Sequence, residues 1–150
     1  MNGITFKQSK GVGLIEVLIT MLILSTTLIT LAALQSRSLL YNHGAYLGSQ
    51  ANILASDILD RIRTNRRSVF NAVQLERYNV AATVFTAGTV PTSSLADRDV
   101  YIWRQNIESQ MPGGTGAVEC SNSTGMCTVT ITWVESNTNN VNRFTYTSRL

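Results

Sequence analysis

The chain reads as an α+β protein, in which a long N-terminal helix packs on a small antiparallel β-sheet head. Three observations predict this class. Residues 12–34 form an apolar run interrupted by one charge, Glu16. Beyond it, Leu47, Leu54, Ile58 and Ile62, with Ala51, Ala55 and Leu59 alongside, recur at helical spacing and make one stripe. After Pro112-Gly113-Gly114 the pattern switches to period two, the signature of half-buried strands.

The first half of the helix is sized for a bilayer. Its 23 residues extend about 34 Å as an α-helix, against a hydrocarbon core of about 30 Å. Glu16 is the anomaly in it. Placing a carboxylate near mid-membrane costs roughly 2.5–3.5 kcal/mol on insertion scales, so a lone acid there points to a specific partner. The helix N-terminus recovers only about 0.3–1 kcal/mol through its dipole.

Length and charge narrow the class further. With 150 residues, 44% hydrophobic and 14% charged, the chain is too short for two large domains and long enough for one compact domain with an anchor. The formal charge is +3, yet the only lysines, Lys7 and Lys10, precede the apolar run. Residues 1–11 are polar and basic and end in Gly11, and they read as a leader. Its removal leaves ten arginines against nine acids, a net of +1, which argues against a large footprint for nucleic acid. An ordinary secretory signal fits poorly: the apolar region is longer than such signals carry, and Thr30-Leu31-Ala32 is the nearest approach to their cleavage pattern. Lys7 and Lys10 keep the N-terminus cytoplasmic, which places the C-terminal part on the far, oxidising side.

No proline occurs before Pro91, so one helix is expected from about Val12 to about Asn65, softened near Gly44 and Gly48. Residues 35–66 form its amphipathic half, and 67–150 the head. A short helix is expected near 69–75, followed by a Thr/Ala/Gly/Ser-rich loop over 81–94. Ser94-Leu95-Ala96-Asp97 is a capping signal, after which Val100, Trp103, Ile107 and Met111 continue at helical spacing. Proline and paired glycines at 112–114 end that helix. Two or three antiparallel strands follow. The first lies near 117–120; Val129, Ile131 and Trp133 then oppose Thr128, Thr130 and Thr132 across the next, and Phe144, Tyr146 and Ser148 oppose Arg143, Thr145 and Thr147 across the last. An Asn/Thr-rich turn at 136–140 separates these two.

Few residues suggest chemistry. Cys120 and Cys127 enclose a six-residue loop and suit one local disulfide, with free buried thiols as the alternative; a zinc framework lacks histidines, since the single His43 is distant. Gly113-Gly114-Thr115-Gly116 lacks the lysine and following hydroxyl of a phosphate loop and is a turn. Trp103, Trp133, Phe144 and Tyr146 are expected as core or partly buried aromatics. Arg61, Arg63, Arg66 and Arg67 form one basic cluster, with Asp57 and Asp60 on adjacent turns to pair with it. No nucleophile, base and orienting group assemble from the sequence, so no catalytic residue, metal or cofactor is expected and the chain is not read as an enzyme.

Gly11-Val12-Gly13-Leu14-Ile15-Glu16-Val17-Leu18 resembles the type III signal of type IV prepilins and pseudopilins. Ala51-Asn52-Ile53-Leu54-Ala55-Ser56-Asp57-Ile58-Leu59-Asp60-Arg61-Ile62-Arg63-Thr64-Asn65 looks like the helix exit of PilV-type minor pilins. Trp103-Arg104, Met111-Pro112-Gly113-Gly114-Thr115-Gly116, Cys120 and Val129-Thr130-Ile131-Thr132-Trp133 are similar to that subgroup too. Val12 stands where phenylalanine or methionine is usual in the family, Gly13 where threonine or serine is common, and Ala32-Ala33 in the region that often holds a proline.

The resemblance implies a pilin-like fold and a structural role. A prepilin peptidase would cut after Gly11 and methylate the new N-terminus at Val12, and Glu16 would be the family's assembly glutamate. The protein would sit in the bacterial inner membrane with its head in the periplasm, then enter a pilus at the cell surface. Its partners would be other pilins and minor pilins through their N-terminal helices, with no small-molecule substrate and at most a weak DNA contact by the assembled fibre. Motility, adhesion or DNA uptake would be the activities it supports. Two other readings share parts of this pattern: a minor pseudopilin of a type II secretion system, and a single-span anchor carrying a binding module.

Overall fold

The computed structural model describes residues 12–68, 75–135 and 140–150. The leader with Gly11, most of the short helix expected at 69–75 and most of the turn at 136–140 lie outside the described residues, as do the side chains of Val12, Arg67 and Ser68. The element order is α1 (Val12–Ser68), a 3₁₀ turn (Leu75–Tyr78), α2 (Leu95–Gln110), β1 (Thr115–Ser121), β2 (Met126–Val134) and β3 (Val141–Arg149). This is the α+β layout expected from the sequence, a long N-terminal helix with a small three-stranded antiparallel sheet.

Internal contacts divide the chain into two units, Met1–His43 and Gly44–Leu150. The described part of the first unit is α1 alone. Its large apolar side chains are exposed, among them Leu14, Leu18, Leu22 and Ile29. The hydropathy of this stretch and its length suffice for a membrane crossing. β-Branched residues are frequent here, and they lower helix propensity slightly. Backbone hydrogen bonding within the segment is what an apolar surround rewards.

The second unit is built around the amphipathic part of α1. Leu47, Ala51, Leu54, Ala55, Ile58, Leu59 and Ile62 are all buried, so the stripe read from the sequence is the helix's contribution to the core. A fully buried Leu or Ile contributes about 1.5–3 kcal/mol by leaving water, so this stripe fixes which face of the helix turns inward. α2 starts where its cap signal predicts: the Ser94 hydroxyl accepts from the Asp97 N–H at 3.1 Å. Trp103, Ile107 and Met111 enter the core, with Val100 packed at its margin. The helix ends at Met111, whose N–H returns to the Ile107 carbonyl, ahead of the turn through Gly113 at φ +57°.

The sheet order is β1-β2-β3, with both pairs antiparallel. Val118, Cys120, Cys127, Val129, Ile131 and Trp133 face the core. The opposite face is lined with threonines, two pairs of which bridge strands: Thr115 to Thr132 at 2.6 Å and Thr128 to Thr147 at 3.0 Å. β3 departs in part from expectation. Phe144 is packed against the core margin, but Tyr146 is 43% exposed rather than a core aromatic. β3 is an edge strand, so a residue on its inner face has a covering strand on one side only.

The outer edge of β1 is closed by the segment after the 3₁₀ turn. Val80 and Val118 exchange backbone hydrogen bonds at 2.9 and 3.0 Å. The Asn79 side chain donates to the Cys120 carbonyl and accepts from the Cys120 N–H, taking the place of one more strand residue. These contacts hold the 75–80 segment against the sheet without a fourth strand.

Candidate functional site

The predicted site residues are divided between the two units. On the N-terminal helix, Val12 is the first residue of α1, and Glu16 lies just after the first turn with an exposed side chain. The other polar residues of 13–34 are hydroxyls, and each one is satisfied by its own helix. Thr20 donates to the Val17 carbonyl, Ser25 to Met21, Thr26 and Thr27 to Ile23, and Thr30 to Thr26, all at 2.8–2.9 Å. Such back-bonding lets serine and threonine sit in an apolar surround at little cost. Glu16 has no counterpart to this. Ionised, it carries only acceptors, and no described residue donates to it. The helix therefore presents a continuous apolar surface with one acid on it.

In the head, Cys120 and Cys127 are directly opposite in the β1–β2 register and form a disulfide. It closes the hairpin whose turn ends at Gly125, φ +66°, where the Gly125 N–H reaches the Ser121 carbonyl at 3.0 Å. A glycine is favoured there because L side chains disfavour positive φ.

The basic cluster is largely engaged within the head. Arg61 donates to Asp57 at 3.0 Å and to Asp99 at 3.4 Å, and Arg63 pairs with Asp60. Arg66 donates to the main-chain oxygen of Leu150. The hydrogen bonds that Arg61 donates to the Asp57 carboxylate hold the Arg61 pKa above its ordinary value. The sequence anticipated the Asp57 and Asp60 pairs through their spacing along one helix. It gave no sign of Asp99, which arrives from α2.

Asp99 belongs to a buried polar chain that linear spacing does not reveal. Asn65 donates to the Tyr78 hydroxyl at 2.8 Å, and Tyr78 donates to Asp99 at 3.0 Å. Burial, with the neighbouring Asp99 carboxylate, pushes the Tyr78 pKa up to about 12. Each group in the chain has a partner, which is the condition under which buried polar groups are tolerated. The arrangement links α1, the 3₁₀ turn and α2, and it serves as a structural bracket.

A second cluster lies on the opposite side of α2. Tyr101 donates to the Gly88 carbonyl at 2.6 Å and packs edge-to-face on Phe85, and Arg104 binds Thr83. These contacts fasten the 81–94 loop over a cavity of about 590 Å³, lined by Arg77, Asn79, Val84, Tyr101 and Arg104. Asp97, at its rim, has its pKa lowered by hydrogen bonds from Ser93 and Ser94. Among the described residues no three His, Cys, Asp or Glu side chains converge as a metal set.

Comparison with known proteins finds no matching family model, no matching curated protein and no matching solved structure.

Proposed function

We propose that this chain is a minor pilin of a type IV pilus, a structural subunit that helps start assembly of the fibre. One observation carries the reading. In residues 13–34 every side-chain hydroxyl folds back onto the helix, and Glu16 alone remains a polar group that the helix does not satisfy. A group of that kind needs a cation from outside its own helix.

Cleavage after Gly11 supplies one. It frees the α-amino group of Val12, which in the mature chain is an ammonium, or a methylated ammonium, at the membrane surface. When helices leave the bilayer and stack, the Glu16 carboxylate of one subunit neutralises the Val12 ammonium of the next. Opposite charges about 4 Å apart at an effective dielectric of about 20 attract by about 4 kcal/mol, enough to offset the cost of holding a carboxylate in an apolar bundle. A stack displaced along its axis leaves both charges buried and unpaired, so the pair sets register more than affinity. The exposed apolar side chains of α1 then pack helix against helix. The head stays available for neighbouring subunits.

Two measurements test this. Mass spectrometry of the mature protein is expected to show a chain starting at Val12; a functional protein that retains Met1 overturns the reading and favours a plain membrane anchor. A Glu16→Ala chain is expected to be cleaved normally yet to be depleted from sheared surface fibres. Wild-type amounts of this variant in the fibres would remove Glu16 from the mechanism.

A further inference from the structure

The two edges of the sheet are treated differently. β1 is closed by Val80 and by the Asn79 side chain, which together satisfy Val118 and Cys120 on its outer side. β3 pairs with β2 along its inner side, and no described residue pairs with its outer side. It spans nine residues, Val141–Arg149, without proline, glycine or lysine. Proteins usually shield a long edge with proline or charged side chains, with a bulge or with a covering segment, because a bare ladder of N–H and C=O groups is a template for another strand; of these β3 carries only its two arginines.

The side chains of β3 specify what that strand must carry. By register, Phe144 and Tyr146 lie on the core side, opposite Ile131 and Val129; Phe144 packs against the margin of the core, and Tyr146 beside it is exposed. Arg143 and Arg149 lie on the other face, opposite Thr132 and Met126, and no described carboxylate pairs with either. Both cations are on one face because they are an even number of residues apart, and they are separated by about 20 Å along the strand. β3 itself contains no acid. A second copy paired strand to strand would bring further arginines and no carboxylate.

We infer that the outer edge of β3 is a docking site for an extended, acidic segment of a partner protein, which adds a fourth strand to the sheet. Main-chain hydrogen bonds supply the pairing. Apolar residues at alternate positions cover Phe144 and Tyr146, and carboxylates between them meet Arg143 and Arg149. This docking is independent of Glu16 and of the helix bundle, so it stands or falls apart from the filament reading.

The test uses the full chain in detergent micelles and a synthetic peptide, Glu-Val-Thr-Val-Thr-Val-Glu, whose acids match the spacing of the two arginines. Binding is followed by fluorescence anisotropy, and β3 amides by hydrogen exchange. The peptide is expected to bind and to slow exchange at alternate β3 amides. A version with alternate backbone nitrogens methylated, a version with lysine in place of glutamate, and the R143E/R149E chain are each expected to weaken binding by roughly tenfold or more. The inference is overturned if the acidic peptide does not bind or if the methylated peptide binds equally well. It is also overturned if the outward-facing β3 amides, those that do not pair with β2, are already protected in the free chain, whether by a second copy or by another part of the same one.

Discussion

The indole nitrogen of Trp103 donates to the main-chain oxygen of Leu54 at 2.8 Å, and both residues are buried. This bond ties α2 to the amphipathic part of α1 across nearly fifty residues of sequence. The ring also dictates its neighbour in β1. A Cβ placed on Gly116 would lie 2.5 Å from the Trp103 Cη2 atom and 2.6 Å from the Ile107 Cδ1 atom. Gly116 is therefore required by close packing of a strand on an indole, not by its own backbone angle. Gly116→Ala is expected to destabilise the head by about 1–3 kcal/mol, as overpacked cores do. Trp103→Phe, which removes the bond but keeps an aromatic, is expected to cost about 2 kcal/mol. Denaturant melts followed by far-ultraviolet circular dichroism check both; a stable Gly116→Ala head would mean that the sheet can shift away from α2.

Tyr78 makes stability fall at high pH. Its folded pKa is raised to about 12, above its ordinary value of 10.0. Between these values the unfolded chain has released the phenolic proton and the folded chain still holds it. Stability is therefore fully present below pH 10 and is lost progressively as pH rises toward 12, by about 2–3 kcal/mol in total. Tyr78→Phe is expected to flatten this part of the profile, and to lower stability at neutral pH by about 1–3 kcal/mol because Asn65 and Asp99 lose their shared partner. Thermal melts of both chains from pH 8 to 12 provide the comparison. A slope that survives in the variant would assign it to another group.

Ser94 caps α2 and also helps hold the Asp97 carboxylate. Ser94→Ala is expected to cost about 1 kcal/mol, and to raise the Asp97 pKa from its lowered position by removing one of its two hydroxyl partners. The folded pKa is depressed, so the stability it contributes is present above the ordinary carboxylate range and fades as pH falls through the folded value. Carboxyl carbon shifts in an NMR titration read the change directly. An unchanged Asp97 titration would remove Ser94 as a cause of the lowered value and leave Ser93 and Arg77.

The disulfide stabilises by restricting a short loop. In the chain-entropy treatment, closing the loop between Cys120 and Cys127 contributes about 2.5 kcal/mol, so a double alanine variant or a reductant is expected to lower stability by that order. The two residues are already opposite in a register set by seven paired positions of β1 and β2. The fold is thus expected to survive reduction with a lower melting point. Loss of all β structure on reduction would show that the hairpin depends on the bond for its register.

Much of this architecture was legible because it is periodic. The stripe from Leu47 to Ile62, the Ser94 cap, the stop at Pro112 and the alternation of Val129, Ile131 and Trp133 all appear where spacing put them. Local patterns also paired Asp57 with Arg61 and Asp60 with Arg63, since each pair lies within one turn of a helix. The same alternation put Tyr146 on the face of Phe144, where the register has it, but not its exposure. Period two reports which face of a strand a residue occupies, not whether another strand continues beyond it.

The amino-acid order alone was enough for an apolar helix with one acid in it, an amphipathic continuation, a capped second helix and a set of strands carrying two nearby cysteines, because each of these depends on residues close together in the chain. Tertiary packing alone joined Asn65, Tyr78 and Asp99 in one buried chain that Arg61 reaches from its margin, set Trp103 on Gly116, and closed the outer edge of β1 while no described residue pairs with that of β3. Those relationships join residues from different elements. Their partners are fixed by how helices and sheet pack in three dimensions, and linear spacing carries no record of that packing.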